Sequence, residues 1–412
     1  MTESDAVQSP AGIEGGTEAA LASLLRGDLP EALTVLREAG VCPVTRNDGS
    51  PWWVVSRYEQ VRAALADPRL SLDRRSSRHG FTGLGLPPVL DRNLLNMDDP
   101  DHARIRRLAA AAFTPRRVEQ LRGRIQAHTD RLLDELASQQ PVDLIAGFAE
   151  PLPIYVICDL IGVPAEDGAV FRTWTNALWA TGPEGRDAAR TAVAQLIDYL
   201  TRLIASRRAQ PHDDLLTALI AARDGQDRLS EPELVSLVFL ILWAGYENSV
   251  DLAANCVVGL LAQPDQLAAI CQQPDPHTEV MRRAVEELLR HGQPVIMARR
   301  RFCLVDLEIG EREVPAGDMT LACLAAANFD PSRFTDPNLL DLSRDPNPHL
   351  SFGHGPHYCL GAPLARLEAR IALWTLFHRY PDLALAVPAS QLRWKDDYRQ
   401  RSLVELPVRL RA

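Results

Sequence analysis

The chain has 412 residues, a formal charge of −10 and seven cysteines, with 46% apolar and 24% charged residues, the composition of a globular protein. The acidic balance argues against non-specific nucleic-acid binding, and the absence of any run of about 18 apolar residues argues against a membrane-spanning helix. The cysteines at 42, 158, 256, 271, 303, 323 and 359 form no C-x-x-C pair, which excludes a disulfide scaffold or structural zinc cluster and points to a reducing cytosol.

Residues 1–20 are small and polar, lack the basic and apolar regions of a secretory signal, and read as a disordered lead-in. A helix over 30–40 carries Pro30 in its first turn and stops at Gly40. The aromatic and β-branched run 52–55 reads as a strand, and RYEQVRAALADP as a short helix ended before Pro68. Residues 71–98 hold Gly and Pro without a period and read as a long ordered loop, a kind that usually carries function. From Asp101 to Arg208 the pattern is helical, broken at Thr114-Pro115, Gly162–Pro164 and Gly182-Pro183. A further break at Gln210-Pro211 precedes another helix. Ser230 and Glu233 form a capping box ahead of an apolar run that ends at Pro264. Those ~32 residues without a breaker predict one helix ~48 Å long, apolar on all faces in its middle and therefore buried. Length alone would allow two or three domains of ~150 residues, but so long a buried helix argues for a single domain over 21–412. A helix over 276–292, a small sheet from the apolar pieces between 295 and 328, and a last helix over 362–381 complete a mainly α fold with a small β region.

The strongest local signal is SFGHGPHYCLGAPLARLE (351–368). It is a tight loop that presents a thiol at a helix N-terminus, where free N–H groups and the helix dipole favour thiolate. Gly353, Gly355 and Gly361 allow backbone turns and the close approach of a flat ligand. The run FGHGPHYCLG resembles the haem-binding loop F-G-x-G-x-H-x-C-x-G of the cytochrome P450 family, the haem–thiolate monooxygenases, at every fixed position. The resemblance implies the fold of that family, one haem b, and Cys359 as the proximal ligand of its iron, with Phe352, Gly353 and Gly361 shaping the loop. It also implies an E-x-x-R pair, here Glu287 and Arg290, with Arg344 as third member of a structural network bracing the Cys loop. His102 and Arg106 in DDPDHARIRR, Arg301, and His357 resemble the groups that face the haem propionates.

Ala244-Gly245-Tyr246-Glu247-Asn248 resembles the family's A-G-x-[E/D]-T oxygen-binding segment, with Asn248 in place of the usual threonine. Glu247 then stands as the proton-delivery acid. Asn248 either orders a water or a substrate hydroxyl, or bonds a backbone carbonyl. Leu240, Trp243, Ala244, Glu247 and Asn248 share one helical stripe facing the haem by resemblance. The same resemblance lines the substrate cavity with the 75–97 loop (Phe81, Leu84, Leu86), Val295, Met297 and the turn near Tyr398, with 177–187 as a lid. These residues suggest a bulky, mainly apolar substrate that is hydroxylated in secondary metabolism. Epoxidation or oxidative ring coupling on the same scaffold remains an alternative, as does a non-catalytic haem protein or an auxiliary recruitment module. No flavin or iron–sulfur module is visible, which implies a ferredoxin and an NAD(P)H-dependent reductase as electron donors to a cytoplasmic monomer. Seven arginines against one glutamate in 102–124 would steer an acidic donor, unless they pair internally with Asp98, Asp99 and neighbours.

Overall fold

The computed structural model describes residues 13–25, 29–45, 51–81, 86–137, 141–164, 167–178, 182–223 and 228–410. Helices dominate it, and five strands form a small mixed sheet in the order Val41–Thr45, Pro51–Val55, Met319–Ala322, Arg301–Cys303, Leu70–Ser71. Pro51–Val55 runs parallel to Met319–Ala322 and antiparallel to Val41–Thr45. The first of these strands, VCPVT, escapes the periodicity reading because its proline interrupts the pattern; Pro43 is tolerated because the strand lies at the sheet edge.

Order begins earlier than the 1–20 lead-in suggests. Ile13–Leu25 is a helix, and Ala20, Leu21 and Leu24 are buried with Leu33, Leu36 and Trp52 in one apolar cluster. The glycines at 15 and 16 weaken its local signal, and the apolar stripe supplies the order instead. The 71–98 loop contains a short turn of helix at Arg74–Ser76 and another at Pro88–Asp91.

The capping box is present as read: Ser230 accepts from the Glu233 N–H, and Glu233 accepts from the Ser230 N–H. The single ~48 Å helix is not. It divides into Glu231–Ala244 and Glu247–Leu261, with the break at Gly245-Tyr246. At the break Asn248 Nδ2 donates to the Ala244 carbonyl (3.3 Å) and Ser249 Oγ to the Gly245 carbonyl (3.1 Å). Side chains bonding back onto i−4 carbonyls bend a helix. A Cβ on Gly245 would stand 2.5 Å from Ile157 Cδ1 and 3.0 Å from the Ile241 carbonyl oxygen, so a larger residue would have to push the Ile157 side chain aside. The first half is buried from Leu234 to Leu240, whereas Ala244 is exposed within the fold. Taken as one stretch, Glu231–Leu261 is long and apolar enough to cross a membrane by composition, contrary to the sequence expectation, yet half of its most apolar window is buried inside the protein. Glu279–Gly292 and Ala362–Arg379 pack on its second half and carry, between them, the acid–base network and the start of the Cys helix.

Candidate haem–thiolate site

Five of the seven cysteines are buried, Cys271 is half-buried, and Cys359 alone is exposed. Its loop is set by glycines: Gly353 and Gly355 have φ of 75° and 73°, and a Cβ at Gly355 would lie 3.0 Å from Ala66 Cα. The Cys359 N–H closes the turn on the Phe352 carbonyl at 2.9 Å. The residue is open to solvent, yet the protein atoms crowded around its sulfur raise the thiol pKa; N–H groups of Gly361 and Ala362, with Arg106 and Arg366 nearby, work against that rise. The dipole argument is thus opposed by desolvation, and a Lewis acid is what would hold this sulfur as thiolate. Gly355→Ala should destabilise the protein by about 1–3 kcal/mol through backbone strain, read as a lower urea midpoint.

Four nitrogen-bearing side chains gather beside the loop. The His102 and His357 rings lie 3.8 Å apart, and Arg106 donates to the Tyr358 carbonyl. His102 is 2% exposed, with its Nε2 buried and unbonded, and so is Arg301 Nε. Burial and then the charges of His102, Arg301 and Arg106 lower His357 to about 3, so it is a neutral donor or acceptor. Buried donors without partners call for an anion. This set fits haem b: one accessible thiol for iron, and two histidines and two arginines for its two carboxylates.

The loop is braced from below. Arg290 and Glu287 are both fully buried. All five guanidinium N–H groups of Arg290 are used: two on Glu287 (2.7 and 2.8 Å) and three on the carbonyls of Asn328, Pro337 and Leu339. Arg344 Nε (3.1 Å) and Asn347 Nδ2 (3.0 Å) also bond Glu287. Ser351 at the head of the Cys loop bonds the Leu289 carbonyl (2.8 Å) and receives Asn328 Nδ2 (2.9 Å), tying loop to network. A second brace escapes sequence reading: Arg366 forks onto Glu286 (2.6 and 2.8 Å), reaches the Tyr358 hydroxyl (3.2 Å) and covers the Phe352 ring at 4.5 Å. Burial would raise the Glu286 carboxyl, but His349 and Arg366 hold it near 2.

At the helix break, Asn248 is committed on both sides: Nδ2 to the Ala244 carbonyl, Oδ1 to Gln400 Nε2 (3.0 Å). The backbone-carbonyl alternative therefore describes its contacts. Glu247 is raised to about 7 by burial and by Asp397, with Gln400, Arg399 and Lys395 opposing. One turn on, Asp251 is 3% exposed, accepts Ser402 Oγ at 2.7 Å, and is raised by burial well above its ordinary value. Asp251 was legible as an acid four residues past Glu247; Gln400 and Ser402 come from a remote segment with no local signal.

The proposed pocket residues divide among three apolar clusters: Leu240, Trp243 and Leu86 in the largest, Met297 and Phe81 in the second, Val295 in the third. Leu240 and Met297 are core, 6% and 1% exposed. The helix break also interrupts the 240–248 stripe. Leu84 and the 179–181 turn of the lid lie outside the described residues. In 102–124, Arg104, Arg117, Arg122 and Arg124 pair with Glu233, Asp213, Glu119 and Asp159, which neutralises much of the expected patch, though through acids other than Asp98 and Asp99.

An exposed thiol in a glycine-shaped loop, beside unpaired propionate-type donors, defines the haem–thiolate class of protein. The family described as cytochrome P450 matches residues 170–382. The chain is 44% identical to cytochrome P450 107B1 of Saccharopolyspora erythraea, over 91% of this chain and 93% of that one. It is also 44% identical to the cytochrome P450 monooxygenase PikC of Streptomyces venezuelae, over 88% and 86%. The solved structure of the bacillaene polyketide synthase cytochrome P450 PksS of Bacillus subtilis superposes with a TM-score of 0.86 at 37% identity, covering 93% of this chain and 96% of that one. The chain belongs to the cytochrome P450 family; it is an oxidoreductase of the monooxygenase type, and its cofactor is haem b.

Proposed function

We propose that Cys359 is the thiolate ligand of haem iron, that His102, Arg106, Arg301 and His357 hold the propionates, and that the enzyme hydroxylates a bulky, mainly apolar molecule of secondary metabolism. The observation that carries this reading is Cys359: the one exposed cysteine, in a loop whose positive-φ glycines and helix-start N–H groups orient it. When bound, the haem supplies dioxygen activation, one oxygen atom going to substrate and the other, with two electrons and two protons, to water. Glu247 titrates near neutrality, so its carboxyl both takes protons from solvent and passes them inward. Gln400 and Asn248 hold the break open at a fixed spacing, and the Ala244-Gly245 pair leaves room beside it. A reduced carbon monoxide spectrum with the thiolate-type Soret shift supports the reading; a Soret band without that shift, in folded haem-loaded protein, sinks it.

The electron donor is an acidic ferredoxin, itself reduced by an NAD(P)H-dependent reductase, and the enzyme works as a cytoplasmic monomer. A surface groove of about 390 Å³, lined by Arg282, Arg283, Arg366 and Arg370 among three glutamates, opens on the Cys359 side, since Arg366 reaches the Tyr358 hydroxyl. Arg282 and Arg283 are exposed and share a single partner, Glu279, at 3.2 and 3.6 Å, which leaves net positive charge at the groove. Reversing both to glutamate should slow ferredoxin-dependent reduction at least about tenfold at low salt, with the gap closing at high salt. Equal rates for the two proteins at low salt would move the docking site elsewhere.

A further inference from the structure

Upstream of Arg301 the chain carries two more arginines, Arg299 and Arg300. A third, Arg399, arrives from the C-terminal segment, whose Arg399 carbonyl accepts from the Ile296 and Met297 N–H groups at 2.7 and 3.2 Å. Arg300 is 8% exposed and lies over the Phe81 ring at 4.3 Å. Arg299 gives one N–H to Asn96 Oδ1 at 2.8 Å. The Nε of all three is buried and unbonded, and no carboxylate is within ion-pair distance of any of them among the described residues. Asp91, whose charge Arg299 and Arg300 both feel, is bonded to Arg74 at 3.1 Å, and Asp397 accepts from the Arg399 backbone at 2.7 Å.

Burial, then the neighbouring Arg399, lowers Arg300 to about 10 and Arg299 well below the usual guanidinium range. Two desolvated guanidinium groups with a half-buried third beside them are costly unless an anion joins them. Acids are not scarce in this chain, which has 54 of them against 44 basic residues. The propionate set does not explain the cluster. Two carboxylates already have four side chains, His102, His357, Arg106 and Arg301, gathered beside the Cys loop for them. Arg300 lies on Phe81 and Arg399 is tied to the Ile296–Met297 backbone beside Tyr398, so the cluster borders the segments expected to line the substrate cavity.

We infer that Arg299, Arg300 and Arg399 form an anion subsite of the substrate cavity, and that the substrate is an apolar molecule bearing a carboxylate. This rests on the haem–thiolate reading of that cavity. Guanidinium forks match a planar carboxylate through paired charge-assisted hydrogen bonds, and the apolar face of Phe81 continues into the hydrocarbon part.

The test uses the haem-loaded protein and long-chain ω-imidazolyl carboxylic acids of graded length, with their methyl esters and the matching alkyl phosphates. The imidazole anchors each probe on the iron, so every probe binds and the tail reads the subsite by optical titration. The acid of best length should bind at least about tenfold tighter than its ester. Arg299→Gln and Arg399→Gln should each bring that ratio toward one while leaving ester affinity unchanged. Equal acid and ester affinity at every length in the unaltered protein overturns the proposal, and needs no variant to fold. Haem loss in Arg299→Gln with the ratio intact would assign that arginine to a propionate. A phosphate bound more tightly than the acid would overturn the carboxylate assignment. Absence of the thiolate-type Soret shift with carbon monoxide would overturn the haem–thiolate reading instead, and is measured without any of these probes.

Discussion

Glu287→Ala should lower the stability of the protein by about 3–5 kcal/mol and release haem, because it strands a buried guanidinium. Arg290 keeps its three carbonyl partners in the variant but loses the carboxylate it is paired with, at zero exposure. The loss also frees the Asp341 N–H, Arg344 and Asn347, which together pin the irregular 328–351 stretch under the Cys loop. Glu287→Leu with Arg290→Met removes both charges and should cost less than the single alanine change, since no uncompensated ion remains. Urea unfolding with haem content read in parallel checks both. A single variant as stable as the parent, with full haem, would mean that the network is not what holds this loop.

The sequence made this network half legible. The E-x-x-R pair and Arg344 are contiguous motifs, and the structure brings all three onto one carboxylate. What pairs with the remaining N–H groups of Arg290 is three backbone carbonyls from a coil, which no side-chain pattern announces. The Cys loop was readable for the opposite reason: its glycine, histidine and cysteine spacing is local, and positive φ at Gly353 and Gly355 is written into residue type. The central helix shows where periodicity misleads. Its residues are apolar enough to continue for 32 positions, and the break comes from two polar side chains turning back onto carbonyls, a choice made by tertiary contacts such as Gln400. The early helix Ile13–Leu25 was hidden because its order depends on packing against residues far along the chain.

Glu247→Gln should reduce product formed per NAD(P)H by about a hundredfold or more, while raising stability in mild alkali. The two effects have opposite signs because one cause, burial, sets both. Burial raises the carboxyl from 4.5 to about 7, so the folded protein holds a proton there that the unfolded chain gives up above 4.5. Protons bound in excess by the folded state mean that this group's contribution to stability falls as pH rises from about 4.5 to about 7, and stays low above it. Glutamine does not ionise, so the variant escapes that loss and should melt higher than the parent at alkaline pH. Activity moves the other way: a group poised near 7 exchanges protons with solvent in either direction, and an amide cannot. Asp251, one turn further on, is more deeply buried, is pushed up by that burial, and already accepts from Ser402. The pH profile of coupled turnover should therefore show an ionisation near 7 in the parent and lose it in Glu247→Gln. A variant that keeps both the parent's coupling and its pH profile would remove Glu247 from proton delivery, whatever its melting temperature.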